Sequence, residues 1–397
     1  MKLGPFTLSR TTGGPATVED LRALARRRLP APVLAYLENG ADEEVTLGRN
    51  REAWRDHRVR QRVLRGVREV DLGVRIAGTH LDLPVVLAPV GLAGAYHGSG
   101  DLAAARAARA AGTRSIVSTG ATHTLEEVAG EAGGGHWFQL YPWGDRELTG
   151  GLLRRASTAG YQALFVTVDV PVVGNRLGER RLGMSVEPVV TPSTAAGYAR
   201  HPRWLAMQAR YRRLSLANLA EPGGPRRIAD TVRRQSIAMR PDLDWDDLAW
   251  MRDQWDGPMY VKGVLDPEDA ALAVRAGADG IVVSNHGGRQ LDGTPATADA
   301  LPGIVAEVGG RAQVLVDGGV RTGHAIAVAL ALGADAVLIG RPWVYGLAAD
   351  GQRGVARVLE ILDAELRRTL HLMGVRAAAD LAGRHLVPHE APPIPGR

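Results

Sequence analysis

Short apolar runs recur along the chain, and each is followed by a stretch with helical spacing. The runs are "PVVLAPVG" (84–91), "RSIVST" (114–119), "HWFQLY" (136–141), "ALFVTVD" (163–169), "PMYVKGV" (258–264), "GIVVSN" (280–285), "QVLVDGG" (313–319) and "AVLIGRP" (336–342). Their length and their β-branched and aromatic content mark strands. The segments between them, such as "GDLAAARAARAAG" (100–112) and "DPEDAALAVRAGA" (266–278), are rich in alanine and carry charges at helical intervals. Strands alternating with helices predict βαβ units and a parallel sheet. Eight such units close into an α/β fold of the (β/α)8 TIM-barrel type, here over residues 76–385. An open doubly wound sheet is the competing arrangement. Against it, no G-x-G-x-x-G follows the first run, and polar residues stand at the ends of nearly all eight.

The flanks break this rhythm. Residues 1–75 are predicted to form an N-terminal helical cap segment, opened by Thr17 and Asp20 in capping-box spacing and broken at "LPAP". A long insert, 177–244, separates the fourth and fifth runs. It contains "ARHPRWLAMQARYRRLSL", whose basic and apolar residues suit a lid, a binding loop or a helix lying on a membrane surface. Residues 386–397, including "PHEAPPIPGR", are proline-rich and predict a flexible tail.

Composition narrows the classes. The chain has 397 residues, 45% hydrophobic and 23% charged, as globular domains do. It has no cysteine, which excludes disulfides, thiolate metal sites and a cysteine nucleophile. The N-terminus carries no apolar signal core, and the longest apolar stretch, "AIAVALAL", is too short to cross a bilayer. The expected location is cytoplasmic, with peripheral membrane contact through the insert as the one membrane role. The net charge of +5 is spread along the chain among acidic residues, unlike the patches of a nucleic-acid binder. Of 48 basic residues, only Lys2 and Lys262 are lysines. A lone internal lysine at a strand end stands out, because lysine is a compact point charge where arginine is a planar fork.

In a barrel the C-terminal strand ends converge on one face, where chemistry collects. Those ends carry Gly91; Ser118 and Thr119; Gln139 and Tyr141; Thr167 and Asp169, with Arg176 beyond; Lys262; Ser284, His286 and Arg289; Asp317, Gly318, Gly319 and Arg321; and Gly340 and Arg341. "DGGVRTG" and "IGRP" at the last two ends have the glycines and arginines of a phosphate cradle. His286 beside two glycines is a candidate base, with Asp169 to stabilise the imidazolium. Arg176 and Arg289 then suit a substrate carboxylate. The strand ends hold a single histidine and no acidic cluster, so nothing there suggests a metal.

Taken together, "SNHGGRQLDG" (284–293), "LPAPVLAYLENGA", "FQLY", "TVDVPVVGNR", "VKGV", "VDGGVRTG" and "IGRPWVYGLA" resemble the FMN-dependent α-hydroxy acid oxidising family, from about Leu29 to Leu366. That family includes glycolate oxidase, lactate oxidase and monooxygenase, and mandelate dehydrogenase. The resemblance implies an FMN cofactor and oxidation of an L-2-hydroxy acid to the 2-oxo acid by hydride transfer to flavin N5. His286 would be the base and Asp169 its partner. Arg176 and Arg289 would hold the carboxylate, helped by Tyr36 and Tyr141. Lys262 would stabilise the reduced ring. Val90, Gly91, Ser118, Gln139, Thr167 and Ser284 would line the ring and ribityl chain, and Asp317, Gly318, Gly319, Arg321, Gly340 and Arg341 its ribityl and phosphate end. Gly120 stands where short-chain glycolate enzymes typically carry tryptophan, which implies a bulky or aromatic substrate. The implied acceptor is oxygen, a quinone or a redox protein, and the implied assembly a homo-oligomer such as a tetramer. Two other readings compete. "DDLAWMRDQWDGPMYVKGV" is similar to the branch acting on a peptide-derived, mycofactocin-type amine, and Lys262 would serve a Schiff-base aldolase on the same barrel.

Overall fold

The computed structural model describes residues 2–3, 6–7, 14–183, 191–212, 214–219 and 240–388. Eight strands form one parallel sheet: β1 Val85–Leu87, β2 Ile116–Ser118, β3 Trp137–Leu140, β4 Ala163–Thr167, β5 Met259–Val264, β6 Gly280–Val283, β7 Gln313–Val316 and β8 Ala336–Ile339. From β2 to β8 each pairs with its neighbours in sequence, and β8 pairs with β1. A parallel bridge from Leu87 to Ser115 closes the ring, with the Leu87 N–H donating to the Arg114 carbonyl at 3.0 Å. The predicted (β/α)8 barrel is therefore the observed fold. Nearly every strand residue is buried, because the ring packs side chains inside and helices outside.

The predicted runs overshoot the strands at their C-terminal ends. β1 stops before Pro89, which has no N–H to give a ladder. Past β6 and β7, His286 (φ 57°), Gly287 (65°), Gly288 (73°), Gly318 (90°) and Gly319 (78°) turn left-handed and leave the extended region. His286, Gly318 and Gly319 stand on these turns, whereas Ser118, Gln139, Thr167 and Lys262 lie within their strands.

The other end of the barrel is shut. Phe165 stacks between Trp137 (5.5 Å) and Tyr260 (4.7 Å) inside the ring. Beneath them lies the hairpin Val74–Ile76 and Thr79–Leu81, whose Ala77 N–H donates to Tyr260 and Gln313 at 3.0 Å each. With this face plugged by rings, a cavity opens at the C-terminal strand ends.

Three N-terminal helices, α1 Val18–Arg28, α2 Ala31–Glu38 and α3 Val45–Asp56, brace that open end. The Thr17–Asp20 capping box is present at α1. From α3, the Trp54 indole donates to the Gly318 carbonyl at 2.7 Å, and Asn50 and Asn285 exchange side-chain amide bonds at 2.8 and 2.9 Å. A Cβ at Gly319 would fall 2.0 Å from the Asn50 carbonyl oxygen, so this turn accepts only glycine. The helices thus fix the loops after β6 and β7.

The described part of the insert folds over the same end. Helices Pro192–Ala199 and Pro202–Tyr211 are joined to the barrel by Trp204, which donates to the Ala95 carbonyl at 2.8 Å, and by Gln208, which donates to the Gly94 carbonyl at 2.9 Å. Residues 184–190, 213 and 220–239 of the insert and 389–397 of the tail lie outside the described residues.

Candidate active site

One cavity opens among the strand ends. Its lining holds Tyr36, Val90, Gly91, Gly120, Tyr141, Thr167, Arg176, Lys262, His286, Arg289, Asp317, Gly318, Gly319, Arg321, Gly340 and Arg341. Ser118, Gln139 and Ser284 lie buried just behind it and Asp169 half-buried beside it, all bonded to lining residues or to one another. The sequence-predicted residues therefore converge on one place.

His286 sits on the first left-handed turn after β6. Its Nδ1 is 3.0 and 3.2 Å from the two Asp169 carboxylate oxygens, and its Nε2 is 3.3 Å from the Tyr141 hydroxyl. Burial lowers the His286 pKa, Asp169 opposes that, and the net lies below the ordinary imidazole value. For Asp169, burial works against the charge, but His286 and Lys262 outweigh it and the carboxyl stays below its usual range. The consistent state is a neutral ring donating Nδ1–H to an ionised Asp169. Burial holds Tyr141 well above its ordinary pKa, so it keeps its proton and donates to Nε2. A base of this kind can take a proton from a hydroxyl that displaces or joins Tyr141 at Nε2.

Lys262 lies across the cavity floor. Its ammonium donates to Ser284 Oγ at 2.8 Å and pairs with Asp317 at 3.0 Å. Burial disfavours the cation, but Asp317 and Asp169 more than compensate, and its pKa stands above the ordinary lysine value.

Three buried polar atoms here have no partner in the protein: Gln139 Nε2, Thr167 Oγ1 and Asp317 Oδ1. Such orphans cost about 1–3 kcal/mol each, so an enclosed site that keeps them is built for a polar ligand. The Ser118 hydroxyl donates to Gln139 Oε1 at 2.8 Å and so aims the free amide nitrogen. The donor, acceptor and cation set fits the polar edge and hydroxylated chain of a flavin mononucleotide. Arg321 and Arg341, with the left-handed glycines of β7, fit its phosphate.

Two predicted arginines do more than the sequence suggested. Arg289 gives its NH1 group to the Tyr36 and Asn39 carbonyls, both at 2.8 Å, and its NH2 to Glu179 at 2.9 Å. Arg341 donates to the carbonyls of Leu37 (2.9 Å), Gly287 (2.9 Å) and Asn39 (3.2 Å). Together they cap the C-terminal carbonyls of α2 and hold Tyr36 at the cavity, its ring 5.1 Å from the Arg289 guanidinium. Arg321 pairs with Glu19 at 2.7 Å.

The remaining wall is apolar. Trp143 stacks on Tyr141 at 4.5 Å, and Val170, Val173 and Leu216 complete it. Leu216 comes from the insert, is only 2% exposed, and approaches to 3.6 Å of where a Cβ at Gly120 would stand. Part of the room expected from Gly120 is thus refilled from elsewhere in the chain. Trp143, Leu216, Tyr96 and Glu179 were not read from the sequence. Only Glu179, three residues after Arg176, carried a local signal of charge pairing.

The sequence model described as FMN-dependent dehydrogenase matches residues 25–388. An L-lactate dehydrogenase of Vibrio parahaemolyticus is 43% identical over 370 residues, 93% of this chain and 97% of that protein. A putative L-lactate dehydrogenase of Mycobacterium tuberculosis is 41% identical over 382 residues, 96% of this chain and 91% of that protein. Among solved structures, the monotopic membrane protein (S)-mandelate dehydrogenase superposes with a TM-score of 0.89 at 36% identity, covering 94% of this chain and all of that one. A mandelate oxidase bound to (S)-4-hydroxymandelic acid superposes with a TM-score of 0.81 at 38% identity, covering 94% of this chain and 98% of that one.

Proposed function

Since the chain belongs to the FMN-dependent dehydrogenase family, we propose that it oxidises an L-2-hydroxy acid with an apolar side chain to the 2-oxo acid. The observation that carries this reading is one cavity holding a histidine backed by a carboxylate, two guanidiniums and an apolar wall. FMN, when bound, would supply the electron-pair acceptor for the hydride. Gln139, Thr167, Ser284 and Asp317 would hold its ring and ribityl chain, and the glycines and arginines after β7 and β8 its phosphate. Arg176 and Arg289 bind the substrate carboxylate, and Tyr36 and Tyr141 orient it. His286 takes the hydroxyl proton at Nε2 while Asp169 stabilises the charge that appears on the ring. Lys262 places a fixed cation beside the flavin. The wall of Trp143, Val170, Val173 and Leu216 receives the side chain, from lactate upward to an aromatic ring.

The site's charges weigh against the competing readings. An amine-bearing substrate would bring a cation to two arginines and a lysine. A Schiff-base nucleophile must be a neutral amine, whereas ion pairing keeps Lys262 an ammonium.

Arg289→Lys is expected to raise KM for lactate or mandelate about tenfold or more and to lower kcat. A point charge cannot make the fork to carboxylate, Tyr36 and Asn39 together. Steady-state kinetics with a dye acceptor check this, and unchanged constants would argue that the substrate has no carboxylate here.

No described helix is long and apolar enough to cross a membrane. Helix Pro202–Tyr211 nonetheless leaves Arg203, Leu205 (41%) and Arg210 exposed. Cations flanking an apolar group suit shallow contact with an anionic bilayer. Co-sedimentation with anionic vesicles is expected, and R203E with R210E should abolish it. Equal binding of that variant would remove the helix from the contact.

A further inference from the structure

Two guanidiniums for one carboxylate leave a charge unaccounted for. Glu179 supplies the balance. It lies on the short helix Leu177–Arg181 and is 5% exposed. One carboxylate oxygen accepts from Arg289 at 2.9 Å, and the other is 3.8 Å from Arg176. Its position is fixed by close packing: a Cβ at the preceding Gly178 would collide with the Asn39 side-chain amide at 1.6 Å. The helix therefore presses onto the end of α2, the same segment whose carbonyls Arg289 caps. Arg176 is held from its other side, with Nε donating to the Arg289 carbonyl at 3.3 Å and NH2 to Gln290 at 3.2 Å, which leaves NH1 toward the cavity.

We propose that Glu179 is a positioning and specificity residue: by neutralising one of the two cations, it sets the cavity to accept a ligand with a single negative charge. The inference rests on the reading of Arg176 and Arg289 as the carboxylate site. With Glu179 in place, the two cations and one carboxylate leave one positive charge for one substrate carboxylate. Without it, the potential at the two guanidiniums becomes more positive, and a dianion gains twice what a monoanion gains from that change, because the energy of an anion scales with its charge. Burial keeps this effect from being screened as a surface pair would be. Glu179 also restrains the Arg289 fork by occupying one NH2 proton. Burial raises the Glu179 pKa above the ordinary carboxylate value while Arg289 and Arg176 pull it back, so the comparison belongs at mildly alkaline pH.

Oxalate, a dianion, and oxamate, a monoanion of nearly the same shape, make the test. Their dissociation constants are read from the flavin absorbance change on titrating the FMN-loaded enzyme, without turnover. Glu179→Gln is expected to shift the oxalate-to-oxamate preference toward oxalate at least tenfold. Glu179→Asp, which keeps the charge, should leave that ratio near the wild-type value. A ratio within twofold of wild type in Glu179→Gln overturns the proposal, as does an equal shift in Glu179→Asp. Should the glutamine variant lose its flavin, Glu179→Ala carries the same comparison. Arg289→Lys separates the two levels. If it weakens both ligands while Glu179→Gln leaves the ratio alone, the carboxylate site stands and the role of Glu179 fails. If it weakens neither, the carboxylate site fails and the proposal with it.

Discussion

His286→Ala is expected to keep its FMN and to lose flavin reduction by about 10²–10⁴-fold, the usual contribution of a positioned base. The reason is geometric. Nε2 is the one ring nitrogen facing the cavity, since Nδ1 is bound to Asp169 at 3.0 Å. The hydroxyl proton has to leave its oxygen as hydride departs from the carbon that bears it, and alanine offers nothing to receive the proton. Retention of FMN is expected because Gln139, Thr167, Lys262 and the β7 glycines are untouched. The left-handed φ of 57° strains alanine about as it already strains histidine, so the substitution adds little backbone cost to folding. In the wild type, kcat/KM should fall as pH drops through a value below the ordinary imidazole 6.5. Burial lowers the His286 pKa, so the neutral, proton-accepting ring persists further into acid than free histidine would. Rapid mixing under anaerobic conditions reads the reduction step directly. A variant that bleaches at the wild-type rate would remove His286 from the chemistry.

The second large effect is expected at Lys262. Lys262→Met removes a preorganised cation from an enclosed site, and loss of one such stabilising group costs about 10²–10³-fold in rate. It also strands Asp317 as a buried carboxylate with one oxygen already orphaned. Breaking a buried pair from one side costs about 3–5 kcal/mol. Both reduction and FMN affinity should therefore fall, the latter measured by recovery of flavin fluorescence on dilution. The double variant K262M with D317N removes both charges. It should regain stability against urea without regaining the reduction rate. A single variant that reduces as fast as wild type would show that the cation does nothing for the reaction.

The architecture was legible because a parallel barrel leaves a strong trace. Buried strands such as "GIVV" and "ALFVT" have no polar face, and the alanine-rich segments between them can only be covering helices. The strand ends were less sharp, since apolar composition runs on into "DGG" and "APVG" while the ladder stops where Pro89 or a left-handed glycine takes over. Lys262 was conspicuous because nearly every other cation is arginine. His286 was legible from its place between a strand and two glycines. Arg289 and Arg341 were legible as site arginines, but not as caps on α2. Their partners there are backbone carbonyls, which have no side-chain signature. Leu216 filling the room at Gly120 was hidden for another reason: nearly a hundred positions separate them, and an insert's path is set by tertiary contacts such as those of Trp204 and Gln208. Glu179 lay in "LGERR", where alternating charge reads as solvated surface until burial is known.

The central claim is that this cavity passes electrons from a 2-hydroxy acid to a bound flavin. The most direct measurement is the visible spectrum of the FMN-loaded protein before and after anaerobic addition of L-lactate and (S)-mandelate, with their mirror-image forms as controls. The account requires an oxidised flavin spectrum that bleaches with at least one L-form acid and not with its enantiomer, leaving the 2-oxo acid in solution. A flavin that stays oxidised with every 2-hydroxy acid offered would contradict it.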